Sequence, residues 1–172
     1  CFAFVAGRMA LEILFFRSLF RNTKTELTGS KPVYGGAKWL WLGGLIFHWA
    51  FLTIGVRHLR FFLEPVPFWV NLLADLDGFF EIGVPTLYLT DLAFIAAATY
   101  LFLRRVAIPQ VRYISLPGDY FPLFLILAVG LTGILTRYIY KIDLLRVKEL
   151  ILGWLTLRPT LPEGIGLSFY IH

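Results

Sequence analysis

The chain has 172 residues, of which 58% are hydrophobic and 16% are charged, and its formal net charge is +5. This balance excludes an ordinary water-soluble domain, which would aggregate, and indicates a protein that crosses a membrane several times. The basic residues lie in short loops between apolar segments. That pattern is typical of charges that fix membrane topology, and it excludes a dedicated nucleic-acid surface.

Sulfur chemistry is also limited, because Cys1 is the only cysteine. One cysteine excludes an internal disulfide, a four-thiolate iron–sulfur cluster and covalent haem attachment through two cysteines. A metal in this chain must therefore rest on histidine or carboxylate. Position 1 is not Met and the chain stops at His172 inside an apolar segment, so we expect the sequence to be part of a longer protein.

The first 20 residues are apolar, but Arg8, Glu12 and Arg17 interrupt them. Arg8 and Glu12 are four residues apart and can pair on one helix face. Residues 1–20 therefore favour an amphipathic helix in the plane of the membrane interface over a membrane span. Residues 21–38 are rich in polar and turn residues, which predicts a loop.

Three apolar segments are long enough to cross a bilayer, and they cover residues 39–61, 79–103 and 120–140. Prolines and acids break the segment between the first two, which predicts an interfacial piece. Residues 141–166 begin with a short amphipathic helix, and residues 166–172 begin a further span. We therefore predict an all-α fold: one membrane domain over the whole chain, a polytopic helix bundle with amphipathic helices in the membrane plane.

Two of the three histidines, His48 and His58, lie on the first predicted span. An ionisable side chain inside a membrane span is a candidate functional residue, and a neutral histidine can bind a metal without bringing charge into lipid. Ten residues of helix separate the two by ~15 Å, so they cannot share one small metal ion. Each can instead hold its own large cofactor.

Consecutive spans alternate in direction, which places His58 and His172 at similar depth. Two facing imidazoles fit the two axial positions of an iron porphyrin, whereas zinc or copper would need further ligands at that level. His48 would then need a partner beyond His172. At this point the alternative stays open that each histidine only hydrogen-bonds a backbone carbonyl or a hydroxyl.

Other charged residues also lie in or beside the predicted spans. Asp91 is expected about 20 Å from the end of its helix, well inside the hydrocarbon, where it can relay protons, bind a neighbouring helix or be protonated. Arg57 and Arg60 near His58 can pair with haem propionates or anchor the membrane interface, and Glu64 lies at the same depth.

The stretches FHWAFLTIGVRHLRFFLEPVP, LFLRRVAIPQVRYISLPGDYFPLFLI and LPEGIGLSFYIH carry a family resemblance. They resemble the membrane cytochrome b subunit, subunit M, of the dissimilatory sulfite-reduction (Dsr) membrane complex. That subunit is similar to the gamma subunit of respiratory nitrate reductase. The resemblance covers essentially the whole chain, and the first ligand pair of the gamma-subunit group stands here as Phe47-His48 and His58.

The resemblance implies two b-type haems in the full-length protein. His58 and His172 would ligate the iron of one haem on the outer side. His48 would ligate the second, nearer the cytoplasm, with its other ligand beyond this chain. The implied protein is a multi-pass subunit of the prokaryotic inner membrane.

The resemblance also implies a function, which is electron transfer between menaquinone or menaquinol and a cytoplasmic iron–sulfur subunit resembling the catalytic subunit of heterodisulfide reductase. The complex would serve sulfur metabolism and include other membrane and extracytoplasmic cytochrome subunits, and the quinone is expected near the outer haem. We also considered a cytochrome b subunit of a nitrate or heterodisulfide reductase, a redox-inert membrane anchor, and a proton or solute transporter that uses Asp91 and Glu81.

Overall fold

The structure is a computed structural model that describes residues 2–21, 23–28, 31–78, 87–158, 161–162 and 164–172. These ranges are mostly helical, as the sequence predicted. The helices are α1 (Phe2–Phe15), α2 (Arg17–Arg21), α3 (Lys38–His58), α4 (Phe68–Gly78), α5 (Leu89–Ala107), α6 (Pro109–Ile114), α7 (Pro117–Ile134), α8 (Leu144–Leu155) and α9 (Leu167–Ile171). A 3-10 turn, Leu59–Phe61, extends α3, and a π-helical turn, Leu135–Ile139, extends α7.

The predicted loop over residues 21–38 contains a two-stranded antiparallel hairpin. Strand β1 (Thr23–Thr28) pairs with β2 (Lys31–Gly36), with Thr23 opposite Gly36 and Thr28 opposite Lys31. Threonine at three of the six positions of β1 favours extended backbone. The loop prediction was therefore wrong for this segment, because the glycines, the serine and the proline spread through it suggested turns throughout.

The helix predicted over residues 1–20 is broken into α1 and α2 at Phe16, whose φ of +49° lies in the left-handed region. The carboxylate of Glu12 stabilises the break, because it accepts hydrogen bonds from the Ser18 backbone N–H, at 2.9 Å, and from the Ser18 hydroxyl. These bonds hold the pKa of Glu12 below its usual value.

Two tryptophans of α3 attach this break to the bundle. The indole Nε1 of Trp41 donates to the carbonyl of Phe15 at 2.6 Å, and Nε1 of Trp49 donates to the carbonyl of Leu14 at 2.9 Å. Both carbonyls belong to the last turn of α1, where no further helical N–H is available to them. The N-terminal helices are thus fixed against the first half of α3.

Helix α5 lies between α3 and α7 and runs antiparallel to both. Gly43, early in α3, faces Tyr100, late in α5, whereas Arg57 at the end of α3 meets Asp91 at the start of α5. Tyr138, beyond the end of α7, also bonds Asp91. Alternation of direction along the chain therefore brings the end of α3, the start of α5 and the end of α7 to one end of the bundle.

The core of this three-helix unit is formed by small and aromatic residues of α3 and α5. Phe47 stacks on Phe94 with ring centroids 5.5 Å apart, and Ala50, Ala97 and Ala98 are buried around them. A Cβ at Gly130 of α7 would lie only 2.5 Å from Cε1 of Phe94. Gly130 is therefore needed for close packing of α7 on α5. Small residues commonly allow membrane helices to approach each other in this way.

Two helical stretches among the described residues are long and apolar enough to cross a membrane, Lys38–Phe61 and Pro117–Ile139. They coincide with the predicted spans 39–61 and 120–140 to within a few residues. Most of their surface is exposed, and α7 itself contains no buried residue. Apolar surface of this extent is unfavourable in water and favourable in lipid.

The predicted span 79–103 differs most from the structure. Helix α5 begins at Leu89 and continues to Ala107, while residues 79–86 of the prediction lie outside the described residues. Asp91, Arg104 and Arg105 all fall within these 19 residues, which reduces the apolar character of the helix. Asp91 lies in the first turn of α5, 13 residues before Arg104, and its depth in the membrane stays a prediction.

Candidate functional site

His58 ends α3, and its imidazole is exposed. Nδ1 lies 2.7 Å from the carbonyl oxygen of Ile54, one turn earlier in the helix. A carbonyl oxygen can only accept a hydrogen bond, so Nδ1 carries the proton. In the neutral ring Nε2 then has a free lone pair.

His48 repeats this geometry in the middle of α3. Its Nδ1 lies 2.7 Å from the carbonyl oxygen of Gly44, again one turn earlier. The ring of Phe47 lies edge-on to the imidazole at 5.1 Å, and the ring of Phe16 lies at 4.9 Å. The broken N-terminal helix therefore contributes an aromatic wall beside His48.

His172 is exposed and belongs to the last described residues, directly after α9. Its Nδ1 lies 3.1 Å from both the carbonyl oxygen of Val129 and the hydroxyl oxygen of Thr132. The ring packs on Gly133, where a Cβ would lie 2.8 Å from Cε1 of the imidazole. The missing side chain of Gly133 leaves room for a histidine ring. The missing side chain of Gly130, about one turn earlier, allows α5 to pack closely.

The three histidines therefore share one state, with Nδ1 held by a backbone carbonyl and Nε2 left without a hydrogen-bond partner among the described residues. Histidines that bind metals commonly have this arrangement, because the bond at one nitrogen orients the ring and fixes the tautomer that ligates through the other. A purely structural hydrogen bond would explain the contact made by Nδ1, but it would not explain why Nε2 has no partner among the described residues.

His58, at the end of α3, and His172, packed on Gly133 near the end of α7, lie at the same end of the bundle. His48, on the preceding turns of α3, has no histidine beside it within the described ranges. These ranges also contain no group of three or more His, Cys, Asp or Glu side chains that could hold a metal ion together. The donors in these ranges therefore do not fit a zinc or copper site with three or four protein ligands, whereas a centre that needs only two imidazoles does not require more than His58 and His172.

A buried charge cluster adjoins His58, and the sequence reasoning missed it. Arg57 is only 7% exposed, and so is Asp77, while Asp91 is 8% exposed. The Arg57 guanidinium pairs with Asp77 of α4 through one terminal nitrogen and with Asp91 of α5 through the other, the latter at 2.7 Å. Arg57 is therefore neither exposed at an interface nor available to another anion.

Further donors satisfy the two carboxylates. Thr90 donates to Asp77 from its backbone N–H at 3.0 Å and from its hydroxyl at 2.6 Å. Tyr138 donates its hydroxyl to Asp91 at 2.9 Å, and the same oxygen accepts from the Tyr88 backbone N–H at 3.1 Å. These bonds join Asp91 to the end of α3 and to the turn after α7, which favours its helix-binding role over a proton relay.

The ring of Tyr88 lies against two arginines. The guanidinium carbons of Arg57 and Arg137 are each 4.0 Å from its centroid. Glu64, in the loop after α3, pairs with Lys148 of α8, which attaches α8 at this end of the bundle. A sequence signal for the cluster existed in the paired signs of Arg57, Asp77 and Asp91, since charges in apolar segments need partners.

Comparison with known proteins supplies the family. Two curated relatives are named Hdr-like menaquinol oxidoreductase cytochrome b-like subunit. The protein from Archaeoglobus fulgidus is 42% identical over 97% of this chain and 51% of its own length, and the protein from Archaeoglobus profundus is 40% identical over 96% and 50%. The chain thus spans about half the length of these relatives. No solved structure matches it.

The family model described as nitrate reductase gamma subunit matches residues 5–161, which include His48 and His58 and every helix from α3 to α8. Together with the two long apolar helices, this match makes the chain a membrane protein. The predicted resemblance to the gamma subunit is confirmed: the chain belongs to the nitrate reductase gamma subunit family.

Proposed function

We propose that this chain is part of a haem b membrane subunit that transfers electrons between menaquinol and a cytoplasmic iron–sulfur partner. The observation that carries the proposal is the common state of His48, His58 and His172, each with Nε2 free and Nδ1 held. Names of the relatives support it, since both are called menaquinol oxidoreductase cytochrome b-like subunits.

In this proposal His58 and His172 hold one haem from two helices, and His48 holds one side of a second haem. A bound haem supplies one-electron transfer. The chain contributes ring orientation through the carbonyls of Ile54, Val129 and Gly44. The rise of α3 separates the two levels by about 15 Å. Helices α3, α5 and α7 each cross the membrane in this arrangement, and α8 lies at its surface.

Spectra of the full-length protein test the proposal. We expect reduced-minus-oxidised difference bands of b-type haem, and loss of about one of two haems in His58→Ala with the other retained. Leu52→Ala is the matched control, because Leu52 is an exposed residue of the same helix. Absence of b-type bands from the wild type, or full haem content in His58→Ala, would contradict the proposal.

The partner is a finer part of the proposal. We propose an iron–sulfur subunit like the catalytic subunit of heterodisulfide reductase, within a Dsr-type complex of sulfur metabolism. The "Hdr-like" name of the relatives favours such a partner over a nitrate reductase. Purification of the complex from its native membrane would test it. An iron–sulfur protein and extracytoplasmic cytochromes should co-purify, and a molybdenum-containing nitrate reductase subunit should not.

A further inference from the structure

Arg137 lies at the His58 end of the bundle with its guanidinium against two aromatic rings. It lies in the π-helical turn Leu135–Ile139, half-buried, with its guanidinium carbon 4.0 Å from the Tyr88 centroid and 5.6 Å from the Tyr138 centroid. Within the ranges that the structure describes, no carboxylate lies at ion-pair distance from it. The aromatic contacts hold its position but leave its N–H donors available.

Arg57 shows the contrast. Both of its terminal nitrogens are committed, one to Asp77 and one to Asp91, and the group is buried. The two carboxylates of the cluster are in turn bound by Arg57, Thr90 and Tyr138. Arg137 shares the Tyr88 ring with Arg57 but does not take part in these ion pairs, so no carboxylate among the described residues neutralises its charge.

The position of Arg137 relates it to the paired histidines. Gly133, which carries the imidazole of His172, precedes Arg137 by four residues, about one helical turn. Tyr138, the next residue, donates a hydrogen bond to Asp91. Asp91 in turn pairs with Arg57, which directly precedes His58 in the sequence. π-helical turns are frequent at functional sites, and this one shifts the guanidinium relative to a regular helix.

We infer that Arg137, held on Tyr88, binds a propionate carboxylate of the haem held by His58 and His172. This inference rests on the proposed function. The planar guanidinium pairs with a carboxylate through two parallel N–H bonds, which a lysine ammonium cannot reproduce. Arg57 and Arg60 were the sequence candidates for this role, and Arg57 is excluded because it is buried and already paired with two carboxylates.

Redox titration of the full-length protein measures the effect of the Arg137 charge on the midpoint potential of each haem. Arg137→Gln should lower the midpoint potential of one haem only, because loss of a nearby cation favours the more positive oxidised form. We expect about a tenfold change in the redox equilibrium, or ~59 mV for one electron. Arg137→Lys should restore part of the shift. Lys141→Gln is the control, since it removes one positive charge from an exposed residue just after the same π-helical turn.

Reconstitution with a modified porphyrin separates the carboxylate from effects on folding. The haem-free full-length protein is loaded with iron protoporphyrin IX or with its dimethyl ester, which has no propionate charge. Arg137→Gln should weaken retention of the native haem and leave retention of the ester unchanged, as in a double-mutant cycle. If the variant does not fold, wild-type protein alone should retain the ester less well than the native haem.

The outcomes are distinguishable. An unshifted potential in Arg137→Gln, an equal shift in Lys141→Gln, or equal retention of haem and ester by the wild type would each overturn the inference and leave the proposed function intact. Absence of b-type haem from the wild type would overturn the proposed function itself.

Discussion

At the scale of single residues, Gly133 is a position where the structure leaves no room for a side chain. A Cβ there would lie 2.8 Å from Cε1 and 3.3 Å from Nε2 of His172, so the imidazole must move. We predict that Gly133→Ala removes the haem assigned to the His58–His172 pair and destabilises the fold by about 1–3 kcal/mol.

Haem content and thermal unfolding of full-length Gly133→Ala measure both effects. Gly118→Ala, on the same helix, is the matched control because nothing lies within 4 Å of its added Cβ. Equal haem content in the two variants would show that the contact between Gly133 and His172 has no role in ligation.

At the scale of helices, Arg57 is the contact that joins the ends of α3, α4 and α5. Its removal leaves Asp77 and Asp91 buried with only neutral donors, and breaking a buried ion pair in this way typically costs ~3–5 kcal/mol. We therefore predict that Arg57→Met destabilises the protein by about that amount, whereas Arg60→Met changes its stability little.

Denaturant unfolding in detergent measures these differences. The triple variant Arg57→Met, Asp77→Asn, Asp91→Asn should be more stable than Arg57→Met alone, because it leaves no unpaired buried charge. If the single variant were as stable as the wild type, the three charges could not be the buried cluster that the structure shows.

The same elements show what the sequence could predict. The apolar runs that became α3 and α7 are long and uninterrupted, so hydropathy located them within a few residues. Helix α5 was harder to predict, because the sequence shows Asp91 only as an acid within an apolar segment. Its partners, Arg57 and Tyr138, are known only from the structure. Arg57, Asp77 and Asp91 are 20 and 14 residues apart along the chain, and no spacing rule brings such positions together.

The candidate site divides in the same way. Histidine spacing on one helix predicted two levels along α3, because helix geometry is regular. The state of each ring, with Nδ1 bound to a carbonyl and Nε2 free, depends on backbone positions that only the structure gives. The position of Arg137 could not be predicted either, because its aromatic contacts depend on a π-helical turn that no sequence pattern indicates.

At the scale of the whole molecule, the antiparallel order of α3, α5 and α7 gives the bundle two chemically different ends. Arg57, Asp91, Tyr138 and the Glu64–Lys148 pair lie at one end, with His58. The Arg105–Asp119 pair, at 3.4 Å, joins α5 to the start of α7 at the other end. In a membrane these ends face opposite compartments if all three helices cross it.

We predict that the end with His58 faces the outside of the cell and the other end faces the cytoplasm. Two exposed tyrosines report on these ends: Tyr140, 62% exposed, follows α7 at the His58 end, and Tyr113, 92% exposed, lies in α6 between α5 and α7. Each is changed to cysteine in full-length protein that otherwise lacks cysteine. A membrane-impermeant maleimide applied to intact cells, or to spheroplasts where an outer layer blocks access, should label Tyr140→Cys. Tyr113→Cys should react only after the membrane is opened. Labelling of both variants from the same side would show that α7 does not cross the membrane. Reversed labelling would place the His58–His172 pair on the cytoplasmic side.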